Sequence, residues 1–73
     1  MRLDYLNVGD LGYIKRINIK DNELRSHLLE IGLVNNTKVK VLFKDKLITI
    51  ISYRNINLLL SNTITRNIEV YTW

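Results

Sequence analysis

The sequence predicts a mainly β fold: a small closed barrel of five short strands, with one α-helix at about residues 22–31 after the first strand. Short alternating or β-branched segments recur at close spacing, with turn-sized breaks between them. Only one segment has the apolar spacing of an amphipathic helix. The composition, 47% hydrophobic and 25% charged over 73 residues, is that of a globular chain with a compact core. We therefore expect a single domain over residues 1–73.

The first strand is predicted at residues 12–20. Ile17 and Ile19 alternate with polar residues, whereas Ile14 is out of phase with them. A β-bulge near Lys15 would place all three isoleucines on one face, and bulges commonly bend the strands of small barrels.

The helix has clear signals at both ends. Asp21 or Asn22 can accept hydrogen bonds from the free N–H groups of its first turn. Its apolar residues recur at i, i+4 and i+7, with one neighbour that widens the stripe: Leu24, Leu28, Ile31 and Leu29. Gly32 suits the left-handed position that ends a helix, and Leu33 can pack back on the last turn, as in a Schellman motif. A helix of about ten residues is unstable alone, so we expect it to dock on the sheet.

Four more strands follow the helix. At residues 37–44, two sets of side chains alternate, one apolar and expected inside, one basic and expected outside: Val39, Val41 and Phe43 against Lys38, Lys40 and Lys44. Residues 47–52 are mostly apolar on both faces, which is typical of a central strand. The other predicted segments are a turn at 53–55, a strand at 56–60, a helical turn at 61–66 and a last strand at 68–72.

The net charge of +4 lies entirely within residues 38–73. Four lysines there indicate either a basic patch for nucleic acid or the solvent face of a strand: Lys38, Lys40, Lys44 and Lys46. Four aromatic residues are candidate stacking platforms for single-stranded nucleic acid: Tyr13, Tyr53, Tyr71 and Trp73. No aromatic cluster alternates with arginine, so the sequence favours the solvent-face interpretation over nucleic-acid binding.

The sequence holds no residue pattern for catalysis or for a resident cofactor. Cysteine is absent, which excludes disulfides and thiol chemistry. Ser26 and His27 are helix neighbours that point in different directions, so they do not form a nucleophile–base pair. Glu23, His27 and Glu30 would offer a metal ion only three ligands, and solvated helix charges are the favoured interpretation. We expect a non-enzymatic protein without cofactor or metal.

Membrane and targeting signals are also missing from the sequence. No stretch approaches the roughly 18 apolar residues of a membrane span, and the N-terminus lacks the hydrophobic run of a signal peptide. A small domain without disulfides suits a reducing cytosol. We expect a cytoplasmic protein that does not insert into a membrane and lies at the membrane only through a partner.

Several short motifs occur in a fixed order along the chain. Residues 6–14 fit "L-x-x-G-x-x-G-x-I", residues 28–33 fit "L-x-x-x-G-L" and residues 37–41 fit "T-x-V-x-V". In this order and spacing, after a helix rich in leucine and arginine, they resemble the FeoA family. Asn35 and Asn36 stand where that family usually has Pro-Gly, and the loop after Phe43 is shorter than usual.

The resemblance implies an SH3-like barrel that serves as a cytosolic accessory to FeoB, the membrane ferrous-iron transporter with a cytosolic GTP-binding domain. The same module occurs at the C-terminus of DtxR-type metal-dependent repressors, after a DNA-binding domain that we do not find in this sequence. A stand-alone module that serves a metal-dependent regulator is therefore the alternative.

We place the partner contact at the helix exit, with Arg25, Leu29 and Leu33 as anchors. An apolar residue at a helix edge beside an arginine is typical of an interaction hot spot. The alternative is that both leucines belong to the core. The exposed edges of the barrel leave a homodimer open.

Overall fold

A computed structural model describes residues 1–72 of the chain. Trp73, one of the candidate stacking residues, lies outside the described residues. After a 3₁₀ turn at Leu3–Tyr5, the elements in chain order are β1 (Leu11–Ile17), α1 (Asn22–Glu30), β2 (Lys38–Lys44), β3 (Ile48–Tyr53), β4 (Ile56–Ser61), α2 (Asn62–Thr65) and β5 (Ile68–Tyr71). The predicted helix is confirmed and ends one residue earlier than expected.

The strands form one antiparallel sheet in the order β4-β3-β2-β1-β5. The mainly β, five-stranded fold is therefore confirmed, but the barrel is not strictly closed, because β4 and β5 remain its two edges. The chain leaves the sheet at Ser61, the last residue of β4, which is also the N-cap of α2. β5 then returns to pair with β1.

β1 contains the bulge that was predicted near Lys15. Its pairing with β5 shifts between Ile14 and Arg16. Ile14 lies opposite Val70, and both side chains are buried. The bulge therefore bends β1 while keeping its apolar residues on the inner face.

β2 contains a second bulge, which the sequence did not predict. Its pairing with β3 shifts between Val41 and Phe43. A shift of one residue moves every later side chain to the other face of the sheet. Phe43 is accordingly 45% exposed, and Lys44 is partly buried. The predicted inner position of Phe43 and outer position of Lys44 are therefore wrong.

The core lies between the sheet, the 3₁₀ turn and α1. Its fully or nearly buried apolar side chains come from every strand: Leu3, Leu6, Ile14, Ile19, Leu28, Leu33, Val39, Val41, Ile51, Tyr53, Leu60, Ile68 and Val70. From α1, Leu28 is buried, and Leu24 packs against the same cluster together with Ile31. The short helix thus docks on the sheet through one face, as expected from its length.

A two-residue turn joins β3 and β4. Arg54 and Asn55 both have positive φ, 48° and 64°, which is the requirement of a type I′ hairpin turn. Tyr53 and Ile56 pair directly across the turn, and the register continues to Ile48 and Ser61 without a shift. The position of this turn matches the prediction at residues 53–55.

Candidate protein-interaction surface at the helix exit

The first turn of α1 is fixed by Asp21. One carboxylate oxygen accepts hydrogen bonds from the backbone N–H groups of Glu23 and Leu24, at 3.0 and 3.2 Å. Because this carboxylate serves as the cap, Arg25 donates instead to the side-chain oxygen of Asn22, at 2.7 Å. The guanidinium of Arg25 is thereby held on the exposed face of the helix.

The last turn of α1 ends in the Schellman motif that the sequence predicts. The N–H of Leu33 donates to the carbonyl of Leu28, at 3.0 Å, and the N–H of Gly32 donates to the carbonyl of Leu29, at 3.1 Å. Gly32 has a φ of 104°, a left-handed conformation that glycine adopts without steric cost. The chain therefore turns sharply from the helix into the core.

Two side chains from the sheet region hold this exit in place. The hydroxyl of Tyr53 donates to the carbonyl of Ile31, at 2.8 Å, and the hydroxyl of Thr37 donates to the carbonyl of Gly32, at 3.1 Å. Both bonds satisfy carbonyls near the end of α1, which the helix itself leaves free. The exit is thus fixed relative to β3 and to the start of β2.

The three predicted anchor residues lie in different environments. Arg25 is exposed and Leu29 is 44% exposed, whereas Leu33 is fully buried. Arg25 and Leu29 are four residues apart, so they lie together on one face of α1. Leu33 lies in the core, which is the alternative position considered for it, and it packs beneath the end of the helix. Leu29 does not join the buried stripe that was predicted to include it.

Arg54 also belongs to this region, and the sequence did not place it there. Its Nη1 atom lies 3.5 Å from the position that a Cβ atom on Gly32 would occupy. The β3–β4 turn therefore brings a second guanidinium to the end of α1. We call Arg25, Leu29 and Arg54 the helix-exit surface: one exposed leucine and two arginines near the end of α1. The sequence contains a turn signal at Arg54 but nothing that gives the direction of its side chain.

The four lysines do not form one basic patch. The ammonium of Lys44 donates to the backbone carbonyls of Asp4 and Leu6, at 2.7 and 2.9 Å. Lys38 and Lys40 are exposed on β2, and Lys46 is exposed in the β2–β3 loop. One cation of the proposed nucleic-acid surface is thus used inside the fold.

The candidate stacking residues are largely occupied. Tyr53 is buried. Tyr13 and Tyr71 stack on each other, with ring centroids 5.4 Å apart, and the hydroxyl of Tyr71 donates to the side-chain oxygen of Asn36, at 2.6 Å. These contacts support interpreting the tyrosines as structural residues.

Metal-ligand groups, clefts and membrane-spanning helices are the other features of the described residues that bear on function. Among residues 1–72, no three His, Cys, Asp or Glu side chains are grouped so that they could hold a metal ion. Glu23, His27 and Glu30 therefore do not form such a group either. A cleft of about 320 Å³ near the N-terminus is lined by residues that include Arg2, Asn18 and Arg66. No helix within the described part of the chain is long and apolar enough to cross a membrane.

The curved antiparallel sheet, the helix after β1 and the short helix before β5 define an SH3-like domain. The model of the FeoA domain matches residues 1–72. The chain therefore belongs to the FeoA family. No match was found among the curated proteins.

Solved structures have the same fold. The FeoA protein from Chlorobium tepidum is 24% identical, with a TM-score of 0.86 over 97% of this chain and 69% of its own. The crystal structure of an iron uptake regulatory protein (FeoA) is 21% identical, with a TM-score of 0.84 over 97% of this chain and 93% of its own. A manganese-dependent transcriptional repressor is 19% identical, with a TM-score of 0.89 over 100% of this chain and 41% of the repressor. This chain thus corresponds to less than half of that repressor.

Proposed function

We propose that this protein is a non-enzymatic cytoplasmic accessory of ferrous-iron transport that binds and modulates an FeoB-type transporter through the helix-exit surface. Membership of the FeoA family supports the link to iron transport. The observation that carries the choice of surface is the exposure of Leu29, an apolar side chain on the polar face of α1. The contact is expected on the cytosolic GTP-binding domain of the transporter.

Leu29 is suited to be the centre of a small contact. A side chain that is 44% exposed can still lose water when a partner covers it. Burying a leucine fully is worth about 1.5–3 kcal/mol relative to leaving it exposed, so completing the burial of Leu29 is worth about 1 kcal/mol. The bonds from Tyr53 and Thr37 fix the backbone beside it, so little conformational entropy is lost on binding.

The two arginines of the helix-exit surface indicate the charge that the partner surface should carry. Arg25 and Arg54 place positive charge near the leucine, so the matching surface on the partner is apolar with acidic residues beside it. Arginine at the edge of an interface forms charge-assisted hydrogen bonds with carboxylates. Rim charges mainly affect the association rate and its salt dependence. We therefore expect binding that weakens moderately as salt is raised.

The first experiment is a titration of this protein with the cytosolic GTP-binding domain of the FeoB from the same genome. Calorimetry and amide chemical shifts are recorded without nucleotide, with GDP and with a GTP analogue. Saturable binding, with shifted amides near Leu29 and Arg54, is the expected result. Absence of binding in every nucleotide state would contradict the proposed contact with this domain.

Matched variants test the surface itself. Leu29→Ala and Arg25→Ala should each weaken binding about five- to tenfold, which corresponds to about 1–1.4 kcal/mol. Val8→Ala is the control, because Val8 is a 60% exposed apolar residue in the turn before β1. Equal affinity of all three variants and the wild type would exclude the helix-exit surface but would leave another contact on the same partner. Leu33 is unsuitable for this test, because its removal leaves a cavity in the core.

A second candidate is a stand-alone module that serves a metal-dependent regulator. The observation that favours it is the match of the whole chain to a manganese-dependent repressor. The test is the same titration with the metal-loaded repressor of this type from the same genome. Binding to the repressor alone, with none to the transporter domain, would support this function instead.

A further inference from the structure

β4 is an unprotected edge of the sheet. It has six residues, carries no charge and contains neither lysine nor proline. Its register with β3 has no bulge. Natural sheets usually protect such edges with charges, proline, bulges or a covering segment. The other edge strand, β5, is shorter and is covered by the N-terminal residues. The N–H of Val70 donates to the carbonyl of Met1, at 2.7 Å, and the backbones of Arg2 and Glu69 form an isolated β-bridge.

The register shows which backbone groups of β4 point away from β3. Tyr53 and Ile56 flank a two-residue turn, so they form a pair that exchanges hydrogen bonds. The same alternation of hydrogen-bonded and non-bonded pairs holds just beyond the other end of β4, where the N–H of Asn62 donates to the carbonyl of Leu47. Alternate residues therefore bond to β3. Those between them, Asn57 and Leu59, direct both backbone groups outward, and Ser61 directs its N–H outward.

An apolar row leads to this edge across the outer face of the sheet. Phe43 pairs with Ile50, and Ile50 pairs with Leu59, one residue from each of three adjacent strands. Phe43 is on this face because of the bulge in β2. Leu59, at the edge, is 58% exposed. The row thus ends on an exposed leucine whose backbone N–H and C=O point away from β3 and bond to no other backbone group within residues 1–72.

We propose that β4 pairs with β4 of a second copy of this chain in an antiparallel, two-fold arrangement with Leu59 opposite Leu59. The two copies of Leu59 then exchange backbone hydrogen bonds at the two-fold axis. The outward N–H of Ser61 in each copy donates to the carbonyl of Asn57 in the other. The two apolar rows become continuous across the axis. A register centred on Leu58 would instead place Leu59 opposite Asn57, without the apolar contact.

The edge of β4 is complementary in charge to a second copy of itself, because it carries no charge. The chain carries a net charge of +4, so identical surfaces generally repel each other. β4 itself is neutral, and no like charges face each other when it pairs with itself. A single pair of strands is smaller than a standard interface of about 800 Å² per partner, so we expect a dissociation constant of about 10 µM to about 1 mM.

Sedimentation velocity on the full chain tests the dimer. The weight-average sedimentation coefficient should rise toward that of a dimer between about 10 µM and about 1 mM. Leu59→Lys places two ammonium groups opposite each other, and it should weaken association at least tenfold. Val8→Lys is the matched control, since Val8 is equally exposed and lies outside β4. A chain that stays monomeric at about 1 mM overturns the proposal, even if the edge captures an extended peptide.

Single cysteine substitutions test the register, since the chain contains no cysteine of its own. Opposite residues that exchange hydrogen bonds have Cα atoms about 5.5 Å apart, within the range of a disulfide. Leu59→Cys should therefore form a disulfide-linked dimer under mild oxidation. Asn57→Cys alone should not, because its copies lie about 13 Å apart in this register. It should do so when mixed with Ser61→Cys. Equal cross-linking of Leu59→Cys and Asn57→Cys alone would overturn the register.

Discussion

Replacing Lys44 with methionine tests how the 3₁₀ turn at Leu3–Tyr5 is held on the sheet. The ammonium of Lys44 donates to two backbone carbonyls, those of Asp4 and Leu6. Methionine keeps most of the apolar stem but donates no hydrogen bond. The variant therefore leaves two partly buried carbonyls without their donor.

The expected cost follows from these two bonds. A hydrogen bond to a charged group contributes about 1.5–3 kcal/mol net, and exposure of Lys44 to water reduces that value. We expect Lys44→Met to lower the free energy of unfolding by about 2–3 kcal/mol. For a domain of this size the melting temperature should fall by about 10–20 °C.

Urea denaturation followed by circular dichroism measures this change. The midpoint should fall with little change in the slope, because the folded state remains equally compact. Lys40→Met is the matched control, since Lys40 lies in the same strand and is exposed. It should change stability by less than about 0.5 kcal/mol. Equal effects of the two variants would refute the structural role of Lys44.

Four further substitutions test the helix exit and the N-terminal turn. Gly32→Ala should destabilise by about 1–2 kcal/mol in the same urea assay, because Gly32 has a left-handed φ. Leu33→Ala should cost about 2–5 kcal/mol and Leu29→Ala less than about 1 kcal/mol, which would separate core from surface. The hydrogen bond from Arg2 lowers the pKa of the Asp4 carboxyl. The interaction of the Asp4 carboxylate with Arg2 should therefore stabilise the fold above about pH 4, and this stabilisation should be lost as the pH falls through the lowered pKa. Asp4→Asn should remove this part of the pH dependence of stability.

The sequence predicted those features that depend on neighbouring residues. The cap at Asp21 and the left-handed Gly32 result from interactions within a few positions along the chain. The bulge near Lys15 arises in the pairing with β5, but it was predictable because the apolar alternation changes phase within β1 itself. The incomplete closure of the barrel depends instead on how far β4 and β5 lie apart in the folded sheet. Alternation of apolar residues defines which face of a strand is buried, but it does not determine whether two edges meet.

The candidate surface was predictable to a similar degree. Arg25 and Leu29 share a helix face because of their spacing, which the sequence gives directly. Leu33 was ambiguous, because a residue after a helix-ending glycine can either pack back or face solvent. The approach of Arg54 to Gly32 joins segments that are distant along the chain, so only the folded structure could reveal it.

The bulge in β2 shows how one distant contact can decide both faces of a strand. Without a bulge, Val39, Val41 and Phe43 would all lie inside, and this pattern is as regular as the observed one. The observed register instead directs Lys44 to carbonyls about 40 positions earlier in the chain. The same shift turns Phe43 outward, opposite Ile50. The register shift that directs Lys44 to these carbonyls therefore also completes the apolar row that reaches the free edge of β4.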